Sequence, residues 1–237
     1  GAYSLDANTI GDENSAFGKS SLGSNTTGNE NTAVGGSSLY GNVSGVKNVA
    51  VGYYALHDNV RGSNNVAVGH YALADITGDS NVAVGYAAAK YSTTATSITA
   101  IGHNALTTNT TGVNNTAVGF EASKDNTTGK DNVAIGALSL RANTFGDYNT
   151  AVGRSALRYN VTGAGNTAVG YVSLWANEGG NYNSSVGYGC LQSNTFGNQN
   201  TALGYNTLQS NLTGDYNTAI GFESLKTNTF GGHNVGV

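Results

Sequence analysis

The sequence predicts an all-β fold: a parallel β-solenoid of about thirteen 17-residue turns, assembled as a homotrimer. Three observations carry this reading. The phrase Asn115-Thr116-Ala117-Val118-Gly119 returns along the chain at a nearly constant step of 17 residues. Apolar residues recur at fixed places inside each repeat, which a disordered Gly- and Asn-rich tail has no reason to show. Gly closes all thirteen copies of the phrase, and the chain holds no proline. A period this short means that each repeat is one turn stacked on the next.

The repeat is numbered here from slot 1, its leading Asn (Asn115), to slot 17 (Asp131). Slot 2 is Thr, Val or Ser, slot 3 is Ala (Ala117) with Ser185 the sole exception, and slot 4 is aliphatic (Val118) apart from Phe17. This alternation and its Cβ branching predict a short strand with two unlike faces. The Gly of slot 5 (Gly119) marks a backbone corner with positive φ or no room for a side chain. A small residue and Leu follow in slots 8 and 9, as in Ala105-Leu106, and predict a second strand with its Leu turned inward. Asn in slot 12 and Gly in slot 15, as in Asn109 and Gly112, predict a second corner built on left-handed backbone.

Stacked at roughly 4.8 Å, thirteen such turns would extend on the order of 60 Å, with like side chains aligned in columns. Each Leu of a column would bury about 1.5–3 kcal/mol, and Asn columns would bond amide to amide. The small residues of slots 3 and 8 place the two segments close together, leaving the Val face without a core of its own. Packing against two further copies around a three-fold axis supplies one. The alternative is a lone roll with every aliphatic side chain inward.

Two places break the rhythm. The unit starting at Asn65 is one residue short and lacks the corner Asn, and its successor has Ser92 and Ala95 where Asn and Gly are usual. Phe145, Phe196 and Phe230 enter one corner late in the chain, and Tyr148, Tyr182 and Tyr216 recur every 34 residues.

Composition narrows the function. Ten Lys and Arg against 14 Asp and Glu are scattered without a basic cluster, so nucleic acid is not an expected partner. No run of about 18 apolar residues predicts a membrane span. One cysteine, Cys190, excludes an intrachain disulfide. Gly1 falls in a Gly slot and the chain stops inside a phrase at Val237, so residues 1–237 read as a single solenoid domain, a fragment of a longer fibre protein.

The phrase Asn-(Thr/Val)-Ala-(Val/Ile)-Gly resembles the head repeat of YadA-type trimeric autotransporter adhesins. The longer form, with Ala-Leu and Asn-Thr-Thr-Gly, is similar to repeats in phage and virus tail fibres. The resemblance covers essentially the whole chain. It implies a left-handed parallel β-roll, three chains wrapped together, and attachment to a host surface. Units of 17 residues are longer than the roughly 14 of the bacterial heads, which favours the tail-fibre branch.

No catalytic, cofactor-binding or metal-binding residues are assigned, because uniform turns present rows of like groups rather than a converging set of unlike ones. His57, His70, His103 and His233 read as surface residues without partners; His70 and His103 share a slot two turns apart, on the order of 10 Å. Asp125, Asp131, Glu121 and Lys124 read as a solvated corner, and Cys190 as a small core filler. Glycan binding has the most support among functions. Its candidate contacts are Trp175 and the recurring aromatics Tyr171, Tyr188 and Tyr205 of slot 6, against the bland reading that the rings stack on one another. Sequons at Asn25, Asn42, Asn109, Asn114, Asn126, Asn160, Asn183 and Asn211 follow from the repeat itself.

The expected function is that of a structural and adhesive segment of an extracellular trimeric fibre, on a virion or cell surface. Its partners are itself and a host-surface glycan or protein. A bacterial adhesin head is the first alternative. An ice-binding solenoid, resting on the corner Thr-Thr rows, is the second.

Overall fold

The computed structural model describes all 237 residues and contains no helix. The chain divides into two compact units, Gly1–Asn115 and Thr116–Val237, and each is a parallel β-solenoid of the predicted turns. The first contributes β1 (Ser15–Phe17), β2 (Thr32–Val34), β3 (Val49–Val51), β4 (Val66–Val68), β5 (Val82–Val84) and β6 (Thr99–Ile101). The second contributes β7 (Thr116–Val118), β8 (Val133–Ile135), β9 (Thr150–Val152), β10 (Thr167–Val169), β11 (Ser184–Val186), β12 (Thr201–Leu203), β13 (Thr218–Ile220) and β14 (Val235–Gly236). Within each unit successive strands pair in parallel and in register, so that slot faces like slot.

Each turn holds one strand, not two. The segment expected as a second strand is two tight turns in succession: in one repeat Ala156 N–H donates to Gly153 O at 3.3 Å and Asn160 N–H to Leu157 O at 3.2 Å. The residue of slot 7 has positive φ, as in Tyr54 (58°), and so does the Leu of slot 9, as in Leu56 (52°). A strand requires negative φ throughout, so it cannot form here. The inward direction of the Leu column is as expected: Leu39, Leu56, Leu73, Leu140, Leu157 and Leu174 are fully buried. Left-handed backbone costs a Leu about 1–2 kcal/mol. Burial of the side chain, about 1.5–3 kcal/mol, offsets it.

Slots 3 and 8 face each other across the interior, which is why both stay small. The exception shows the contact directly. Ser185 Oγ lies 2.7 Å from Ser173 Oγ, a slot 8 residue, and donates to Cys190 O at 2.9 Å. Gly in slot 5 is required twice over. Gly119 has φ of 138°, and a Cβ there would meet the backbone of Gly136 in the next turn at 2.7 Å.

The corner at slots 12–15 has a different cause from the expected one. Its Asn and Gly do not adopt left-handed backbone. The Asn is wholly buried and acts through its amide. Asn160 Nδ2 donates to Asn143 Oδ1 at 2.8 Å and to Gly163 O at 2.9 Å, and Asn177 Nδ2 donates back to Asn160 Oδ1 at 2.7 Å. The corner Gly is excluded space rather than free backbone, since a Cβ on Gly163 would lie 2.3 Å from Asn160 Oδ1 and 2.5 Å from Gly180 O. A second amide column runs through slot 1, where Asn149 N–H donates to Asn132 Oδ1 at 2.9 Å and its Nδ2 to Gly163 O at 2.8 Å.

The short unit interrupts the first of these columns. Ile76 occupies the corner slot, fully buried, and carries no amide to donate. Asn59 Oδ1 and Ser92 Oγ are consequently buried without partners. Strands β4 and β5 remain in register across the deletion, Val66 opposite Val82, so the missing residue is absorbed in the corner.

Candidate functional site

Alternation along each three-residue strand turns slots 2 and 4 outward and buries the Ala of slot 3. The aliphatics of slot 4 are therefore not inside a lone roll. Val51, Val84, Ile101, Ile135 and Leu203 are 36–47 % exposed, and Val118, Val152 and Val169 are less so but not buried. In-register pairing lines them up into a column of Val, Ile and Leu beside a second column of Thr and Val.

One slot beyond the closing Gly, side chains of successive turns meet as a ladder of rings. Tyr171, Tyr188, Tyr205 and Phe222 stack at centroid spacings of 5.4, 5.1 and 5.3 Å. Stacking spends the ring faces on neighbouring turns, so Tyr188 and Tyr205 present edges and hydroxyls to solvent rather than a platform. The histidines also stack on rings instead of standing alone, His70 and His103 in slot 6 and the other two in slots of their own. His70 lies between Tyr53 and Tyr86, at 5.2 and 5.6 Å, and His103 stacks on Tyr86 at 5.1 Å. His57 stacks on Tyr54 at 4.2 Å with its Nδ1 2.7 Å from Asp58 Oδ1. His233 stacks on Tyr216 at 4.8 Å.

Trp175 is placed apart from that ladder, in slot 10. It meets Tyr159 edge-to-face, with centroids 4.7 Å apart and planes at 89°. The two rings wall a cleft of about 310 Å³ whose remaining lining includes Ala142, Ala176, Glu178 and Thr195. Tyr171, Tyr188 and Tyr205 do not line it. The column explains the cleft. Slot 11 reads Ala142, Tyr159, Ala176 in three successive turns, so one large ring stands between two methyl groups and leaves a notch. The guanidinium carbon of Arg158 lies 5.2 Å from the Tyr159 centroid, and Glu178 is exposed at the rim. Of these residues Trp175 stands out in the sequence. Tyr159 and Glu178 become visible only when columns are compared, Glu178 as the one charged residue in slot 13.

The acidic corner is an ion-paired cluster that draws Arg141 from the next turn. Its Nε donates to Glu121 Oε2 at 2.7 Å and its Nη1 lies 3.4 Å from Asp125 Oδ2, with Lys124 Nζ 3.0 Å from Glu121 Oε1. The hydrogen bond from Arg141, then that from Lys124, holds the Glu121 carboxyl below its ordinary range. Cys190 is buried, its Sγ 2.9 Å from Gly204 O, and burial pushes its thiol up. Seven of the eight sequon asparagines are fully or almost fully buried and serve the amide columns; Asn114 alone is exposed.

The chain matches no protein-family model, no curated protein and no solved structure.

Proposed function

We propose that this chain is a segment of an extracellular trimeric fibre, which spaces and presents a surface that attaches to a host. The carrying observation is the outward strand face: in each unit, a column of partly exposed Val, Ile and Leu, one per turn, held in register. A contiguous apolar stripe of this kind is a mark of an interaction surface. A partner carrying the same repeat matches it turn for turn, which a second and a third copy of the chain do by construction. Function then follows from assembly. Three chains lock along their aliphatic columns, and weak contacts to host glycan or protein add by avidity. A bacterial adhesin head built of such turns would use the same interface.

Ice binding draws less support. The corner threonines spend their hydroxyl donors on the next turn, as Thr127 Oγ1 to Thr144 O at 2.9 Å and Thr195 Oγ1 to Leu212 O at 3.0 Å. Light scattering across a concentration series tests the proposal. A mass near three times 24.0 kDa is expected. A monomer at every concentration, above all one showing thermal hysteresis, would overturn it.

A further inference from the structure

We propose that the Trp175–Tyr159 cleft is a saccharide subsite on the side of the solenoid, which takes one pyranose ring. The inference rests on the fibre reading for its biological setting, though not for its chemistry. In a molecule where nearly every slot repeats, three departures fall together within three successive turns. They are the single Trp of the chain, the Ala–Tyr–Ala sequence of slot 11, and the lone carboxylate of slot 13. Elsewhere the exposed rings of slot 6 cover each other's faces; here the rings are perpendicular and open a corner.

The corner suits a sugar. A pyranose has one face of C–H groups, which packs on an aromatic ring, and an equatorial rim of hydroxyls. Glu178 stands at the rim as an ionised acceptor able to receive two neighbouring hydroxyls, and the Trp175 indole N–H is a donor. The methyl groups of Ala142 and Ala176 leave the floor free of bulk. An ammonium ligand would use the same ring and carboxylate, but the cation position over Tyr159 is already held by Arg158, which would repel a second positive charge. A neutral hexose or N-acetylhexosamine meets no such penalty.

The single Trp makes its emission a reporter of this cleft alone. The experiment titrates the intact protein with neutral hexose and N-acetylhexosamine oligosaccharides, and separately with tetramethylammonium. A saturable change in Trp emission with at least one saccharide is expected. Glu178→Gln should weaken that binding roughly tenfold, as loss of a charged hydrogen bond does, with circular dichroism and solution mass unchanged. Tyr159→Phe, which keeps the wall, should bind within about threefold of the parent. No response to any saccharide at tens of millimolar, or a response to tetramethylammonium alone, overturns the subsite. A trimer that fails to bind sinks only the subsite, whereas a monomer that binds sinks only the fibre reading.

Discussion

At the scale of single residues, the two glycine classes and the buried asparagines set the rules of the turn. Glycine in slot 5 answers to backbone sign and to crowding together, whereas glycine in slot 15 answers to crowding alone, by the amide column and the carbonyl of the next turn. Asn160 carries three side-chain bonds in the interior. Asn160→Ala would strip the donors to Asn143 Oδ1 and Gly163 O and the acceptor of Asn177 Nδ2. We expect it to destabilise the second unit by about 2–4 kcal/mol, since orphaned buried groups cost about 1–3 kcal/mol apiece. Urea denaturation reads the loss, and a change under 0.5 kcal/mol would show that the column is not a structural support. The recurrence of Asn was legible in the sequence, and so was its amide stacking. The reason for Gly beside it was not, because a propensity rule sees only the residue's own backbone.

The elements depart most from expectation in the segment between slot 5 and slot 12. Hydrophobicity placed each Leu inward, and that holds. Backbone type could not be read, because left-handed Leu and Tyr run against every local preference and exist only where stacking over-determines them. The ion-paired cluster is likewise a property of two adjacent turns, since Arg141 comes from the turn after Glu121. Its pH dependence has a definite sign. The folded Glu121 pKa is depressed, so its stabilisation is complete above the unfolded value near 4.3 and is lost as pH falls through the lower folded one. Glu121→Gln should therefore lower the urea midpoint at pH 7, and its difference from the parent should shrink steadily below about pH 4.3. A difference independent of pH would assign the effect to packing.

For the whole molecule, the fibre reading requires that further copies of the chain cover the aliphatic column. Val186 is outward and 38 % exposed, so a lysine there is tolerated by an isolated chain. In a trimer three such charges would converge at one level. Val186→Lys should shift the assembly towards monomer by roughly 100-fold or more in concentration, because like charges juxtaposed in an interface cost several kcal/mol. Val186→Thr should leave the mass unchanged. Sedimentation at matched concentrations distinguishes them, and a Lys variant that assembles like the parent would remove this face from the interface.

The period, the strand of slots 2–4, the small residues of slots 3 and 8 and the inward Leu column were determined by the sequence alone, because a residue type that returns every 17 positions reports what its slot demands. The burial of the Asn columns and the outward direction of the Val column were settled in the fold. The left-handed turns, the rings that cover one another and the perpendicular pair beside Glu178 were decided only by the tertiary structure. Each is a contact between neighbouring turns. Such contacts do not exist until stacking brings residues 17 apart in the chain to van der Waals distance.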